Sequence, residues 1–122
     1  MRICVVGTGY VGLVAGACFS DVGNHVSCLD IDQKKIDKLN QGEIPIFEPG
    51  LEDIVARNTK AGRLHFTTDP AEAIGSARVI FLAVGTPSKP DGDLDLKYIL
   101  AAAESIRDNL KDEAFVVLKS TV

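Results

Sequence analysis

The 122-residue sequence has no low-complexity tract, no linker rich in proline and glycine, and no internal repeat. Nothing marks an internal boundary, so one domain with one core is expected. Cysteine is scarce: Cys4, Cys18 and Cys28 are an odd number with no C-x-x-C pair, and each sits in an apolar stretch. Reduced, buried thiols of a cytoplasmic protein are the expectation. Positive charge is also short, with 13 Lys and Arg against 17 Asp and Glu and a net charge of −4. An acidic surface repels phosphate backbones, which argues against nucleic acid as a partner. Beyond the opening segment, no uncharged run approaches the ~20 residues that a membrane span needs.

Histidine occurs only as His25 and His65, far apart and without cysteine or carboxylate at ligand spacing. Both read as structural or surface residues. No G-x-S-x-G motif surrounds Ser20 or Ser120, so a hydrolase triad has no support. The segment "PDGDLD" sets Asp91, Asp93 and Asp95 at alternate positions, like the start of a calcium loop. Its sixth position would be Leu96 instead of glycine and its twelfth Ala102 instead of glutamate, so no metal is expected. Asp93 or Asp95 is instead expected to cap the following helix. Glu48 and Glu52, around "PGL", are expected to favour a helix start through their negative charge.

What is present is an alternation of short apolar runs with helical spacings. "RICVVG" is rich in β-branched residues and reads as a strand buried on both faces. A helix from about Tyr10 to Val22 follows, ended near Gly23. "HVSCLD" is a second strand. "DQKKIDKLNQG" is a helix capped by Asp32, with Gly42 past its end. "EIPIFEPG" is irregular because two prolines interrupt it. "LEDIVARNTKAG" resumes a helix closed by Gly62. "RLHFTT" is a strand, and "DPAEAIGSA" a short helix with Asp69 as cap and Pro70 at its first position. "RVIFLAV" is another buried strand. "DLKYILAAAESIRDNL" gathers Leu96, Ile99, Leu100, Ala103, Ile106 and Leu110 on one helix face. "AFVVLKS" is the last strand. The pattern implies an α/β fold of the Rossmann type, a doubly wound, mainly parallel sheet.

Gly7, Gly9 and Gly12 form G-x-G-x-x-G at the junction of the first strand and first helix. Gly7 permits the tight turn, Gly9 lets a pyrophosphate approach the backbone, and Gly12 lets helix and strand pack closely. The anion would rest on the free N–H groups at the positive end of the helix dipole. Asp30 ends the second strand 18 residues after Gly12. Its carboxylate can accept from ribose hydroxyls and repels a 2′-phosphate, so NAD is expected over NADP. Lys35, in the first turn of the next helix, is placed to reach the same ribose or to offset Asp30. The segment lacks charge between Arg2 and Asp21, and "AGACFS" imitates a leader cleavage site. Its glycines and its place in the alternating pattern argue for a cofactor site instead of a leader or anchor.

"GTGYVGL", "FEPGLE", "GRLHFTTD", "VGTPSKPDG" and "KSTV" occur in an order and spacing that resemble the UDP-glucose/GDP-mannose dehydrogenase family, nearest its UDP-glucose branch. The resemblance runs along the whole chain. It implies a two-step oxidation of the C6 alcohol of UDP-glucose to the carboxylate, with two NAD reduced and a cysteine thioester formed. It implies cofactor contacts from Gly7, Gly9, Tyr10, Val11, Gly12, Asp30 and Lys35, and from Thr86 in "VGTP". Thr121 in "STV" would lie near the nicotinamide and the reacting centre.

The family's catalytic cysteine, with its lysine and asparagine partners, belongs to later sequence. None of Cys4, Cys18 and Cys28 matches its motif. Residues 1–122 are therefore expected to be an NAD-binding fragment, with the central and UDP-sugar domains beyond Val122. The sheet would lack the last of six strands and leave an apolar edge open, favouring self-association. A homodimer or higher oligomer is implied for the full-length protein. The alternatives are a dehydrogenase of GDP-mannose or of a UDP-N-acetylhexosamine, or a non-catalytic NAD-sensing module.

Overall fold

The computed structural model describes residues 1–84, 90–92, 96–111 and 113–118. Strands and helices alternate as β1 (Arg2–Val6), α1 (Tyr10–Asp21), β2 (His25–Leu29), α2 (Gln33–Asn40), α3 (Leu51–Lys60), β3 (Leu64–Thr67), α4 (Pro70–Ile74), β4 (Val79–Leu82), α5 (Lys97–Asn109) and β5 (Phe115–Leu118). The strands form one sheet in the order β3-β2-β1-β4-β5, and every pairing is parallel. The chain winds outward from β1 through β2 to β3, then returns to the other side of β1 for β4 and β5. That reversal opens a crevice at the carboxyl ends of β1 and β4, where doubly wound sheets take ligands.

The apolar runs are continuous because both faces are covered. Ile3 and Val5 of β1 join Leu13 and Ala17 of α1 and Val55 of α3 in one core layer. Cys4 and Val6 point the other way, to Ile74 by α4 and to Ala102 and Ile106 of α5. Each fully buried aliphatic side chain contributes about 1.5–3 kcal/mol, so the central strand is the anchor of both layers. Gly16 lets α1 lie directly on β2: a Cβ there would come 2.6 Å from the Cys28 sulfur. Buried Asn58 ties α3 to α1 and to the chain entering β3, donating to Asp21 at 3.0 Å and accepting from Arg63 at 3.0 Å.

The punctuation follows the sequence. Asp32 accepts hydrogen bonds from the Lys34 and Lys35 amides, and Asp69 accepts from the Ala71 amide with Pro70 beside it. Each cap is worth roughly 1 kcal/mol. Asp93 and Asp95, expected to cap α5, lie outside the described residues, and Leu96 occupies the cap position.

Two expectations are corrected, and a third is met. In α5 the face that packs is Ala102, Ile106 and Leu110, while Leu96, Leu100 and Ala103 of the predicted stripe stay exposed. A helix this rich in apolar residues offers two stripes, and only the one beside α4 joins the core. The open apolar edge is the expectation that is met: β5 forms with Phe115 79% exposed and Val116, Val117 and Leu118 also exposed. It has one neighbouring strand, and among the described residues no helix covers it. Cys18 is exposed, unlike buried Cys4 and Cys28, because its helix position faces away from the sheet. Burial pushes the Cys4 thiol up to about 12. Burial, and then the nearby Cys4, raises Cys28 as well. A maleimide should therefore label the folded chain rapidly at Cys18 alone and all three thiols after denaturation. Mass spectrometry of the labelled chain checks this, and fast native labelling of Cys28 would contradict the packing of α1 on β2.

Candidate functional site

The glycine turn is held by backbone geometry. Gly7 leaves β1 with φ +107°, and a Cβ on it would meet the Ala83 carbonyl oxygen at 2.7 Å. Its amide donates to the Leu29 carbonyl at 2.7 Å, which ties the turn to the end of β2. A Cβ on Gly12 would lie 1.9 Å from the Gly7 carbonyl oxygen, so the first turn of α1 rests on the strand end. Gly9 differs from both. It is the N-cap of α1, extended and exposed, and a Cβ there would meet nothing within 4 Å. No side chain caps this helix and no acidic residue sits in its first turn. The positive end of α1 thus faces an open space that a Cβ would begin to fill, which is the shape and polarity a pyrophosphate requires. Val11, on the first turn, is half-buried.

Asp30 follows β2 directly and stands beside this turn because Val6 and Leu29 are paired across the sheet. Its Oδ2 accepts from the Thr8 amide at 3.0 Å and from the Thr8 hydroxyl at 2.6 Å. Its Oδ1 accepts from the Asp32 amide at 3.0 Å. Partial burial disfavours its charge, but the Thr8 hydroxyl, the two amides and the charge of Lys35 outweigh that and hold the carboxyl below its ordinary value. An ionised carboxylate therefore stands beside the uncapped end of α1, with Lys35 near enough to act on it. Thr86 and Thr121 lie outside the described residues.

Several features were not legible in the motifs. Thr8, a variable position of the fingerprint, is the main partner of Asp30. Tyr10 is exposed and donates its hydroxyl to the Glu48 carboxylate at 2.9 Å. That bond, and then the charge of Glu48, raise the Tyr10 hydroxyl above its ordinary value. Glu48 is thus engaged with the glycine-turn helix, whereas Glu52 and Asp53 supply the negative charge in the first turn of α3. Ile31, directly after Asp30, is 83% exposed. The signal for Ile31 was an apolar residue between two aspartates. Thr8 and Glu48 had none, since their partners are distant in sequence. His25 and His65 are both exposed, and the His65 ring lies 3.1 Å from the Gly62 carbonyl. A groove of about 460 Å³ lies over the outer edge at β3, lined by Leu39, Asn40, Glu52, His65 and Phe66 among others. It includes none of the residues expected at the cofactor site.

The sequence matches the NAD binding domain of the UDP-glucose/GDP-mannose dehydrogenase family over residues 1–122. The chain belongs to that family. As its NAD-binding domain it takes NAD as cofactor, and the open cradle at Gly9 with ionised Asp30 beside it fits that molecule. It is 53% identical over 123 residues to the UDP-glucose 6-dehydrogenase of Rhizobium meliloti, covering all of this chain and 28% of the relative. A GDP-mannose dehydrogenase from Pseudomonas aeruginosa, solved as a ternary complex, superposes with a TM-score of 0.92 at 44% identity, over 100% of this chain and 29% of that one. A UDP-glucose dehydrogenase from Pyrobaculum islandicum superposes at 0.90 with 38% identity, over 99% of this chain and 29% of that one. The chain thus spans less than a third of the length of these relatives. Among the described residues no helix is long and apolar enough to cross a membrane. The uncharged opening run is instead β1, the glycine turn and most of α1.

Proposed function

We propose that residues 1–122 hold NAD for a protein that oxidises UDP-glucose at C6 to the carboxylate. The observation that carries the reading is the empty Cβ position at Gly9, at the uncapped end of α1, beside the ionised Asp30. Identity to UDP-glucose 6-dehydrogenases, 53% against 45% to a GDP-mannose 6-dehydrogenase, favours UDP-glucose as the sugar nucleotide. NAD supplies the hydride acceptor for such an oxidation.

This chain's residues bind and orient. The amides around Gly9, Tyr10, Val11 and Gly12 receive the pyrophosphate. Asp30 accepts the adenosine ribose hydroxyls, with Lys35 beside it, and exposed Ile31 offers an apolar surface to the adenine. Gly7 and Gly12 hold the turn that makes this possible. Thr86 and Thr121 are assigned to the nicotinamide end, at the carboxyl edge of the sheet. The substrate-binding part and the catalytic thiol belong to the remainder of the protein, which we read as cytoplasmic, in keeping with free thiols, and as a homodimer or larger assembly.

A fluorescence titration of the purified chain with NADH tests the cofactor role, and absence of saturable binding would overturn it. The same chain given UDP-glucose and NAD should produce no NADH. Cys4 and Cys28 are buried and resist ionisation, and Cys18 lies more than two helical turns from Gly9 along α1. Measurable turnover would refute the division of labour.

A further inference from the structure

We propose that the Thr8 hydroxyl is a built-in stand-in for a ribose hydroxyl on Asp30, which the cofactor must displace. The inference rests on reading Asp30 as the ribose acceptor. A carboxylate offers about four lone-pair directions. In the free chain three are taken: the Thr8 amide and hydroxyl both donate to Oδ2, and the Asp32 amide donates to Oδ1. The vicinal diol of a ribose brings two O–H donors, and one vacant direction remains for them.

The Thr8 hydroxyl is the contact that can give way. The two amides are fixed by the turn and by the start of α2, whereas a hydroxyl can rotate. At 2.6 Å its bond to a charged acceptor is short and strong, so releasing it opposes binding. Thr8 is 3% exposed, so water offers the hydroxyl little replacement on release. Thr8 is therefore a positioning residue. It keeps Asp30 aligned and ionised while the site is empty, and it lowers affinity for any ligand that needs both Asp30 oxygens.

Thr8→Val removes the hydroxyl and keeps both the branched side chain and the amide. NADH should then bind about three- to tenfold more tightly, while Thr8→Ser, which restores the hydroxyl, should return to the native affinity. In the free chain, NMR titration should show the Asp30 carboxyl at a higher pKa in Thr8→Val than in the native protein, since a bond to the charged form is lost. Thr8→Ala removes the same hydroxyl with less bulk and serves if the valine variant does not fold. Unchanged or weaker NADH binding in the variant, with native binding intact, overturns the proposal, as does an Asp30 titration that does not move. A native chain that fails to bind NADH removes the cofactor reading and this inference together.

Discussion

Gly12→Ala should lower the thermal midpoint of this chain by about 5–15 °C and abolish measurable NADH binding. The new Cβ would sit 1.9 Å from the Gly7 carbonyl oxygen and 2.9 Å from its carbonyl carbon. Both are backbone atoms, so no side-chain rotation relieves the overlap, and α1 must move off the end of β1. Overpacking of this kind costs typically 1–3 kcal/mol, which in a domain of this size corresponds to roughly that shift in melting temperature. Binding should be lost because the cradle is made by that close approach. Gly9→Ala provides the contrast. Gly9 is in an extended conformation open to any residue, and its Cβ would touch nothing. The fold should survive, losing under ~1 kcal/mol from a poorer cap, while NADH affinity falls about tenfold or more as the methyl occupies space assigned to the pyrophosphate. Calorimetry and a NADH titration on the two variants separate the effects. Equal melting losses, or full NADH affinity in either, would contradict the roles given to these glycines.

Asp30→Ala should weaken NADH binding by about tenfold or more, since hydrogen bonds to a charged group are worth roughly 1.5–3 kcal/mol. NADPH binding should change less or improve, because the repulsion between the carboxylate and a 2′-phosphate disappears with the side chain. The preference for NADH over NADPH therefore narrows. The truncation also strands the buried Thr8 hydroxyl, so a modest fall in melting temperature accompanies it. Asp30→Asn keeps one acceptor oxygen and removes the charge, and should show the same narrowing with a smaller stability loss. Parallel titrations with NADH and NADPH measure both affinities. A native chain with no preference, or an unchanged preference in Asp30→Ala, would end the argument for Asp30 as the selector.

The two sets of predictions draw on different kinds of information. The G-x-G-x-x-G spacing and an acid after the next strand are local patterns, and chain direction alone brings Asp30 beside Gly7 once β1 and β2 pair in parallel. The caps at Asp32 and Asp69 are also local, since a side chain there reaches amides two or three residues away. The packing face of α5 is less legible. Periodicity shows that a face is apolar, but which face joins the core depends on how α5 packs beside α4. Cys18 was misread for the same reason: an apolar neighbourhood in sequence does not say which way a helix position points.

By itself the sequence determined the alternating α/β order, the glycine turn, the acidic residue at the end of the second strand, and the family. These depend on residue type at short spacing, where sterics and hydrogen bonding act within one strand-turn-helix unit. Only the tertiary structure decided that Gly9 opens onto free space while Gly7 and Gly12 are wedged against backbone. Only it paired Thr8 with Asp30 and Tyr10 with Glu48, and turned Cys18 outward. The physical reason is common to all of these. Each depends on the distance between groups that folding brings together from separate elements, and a linear spacing carries no record of that distance.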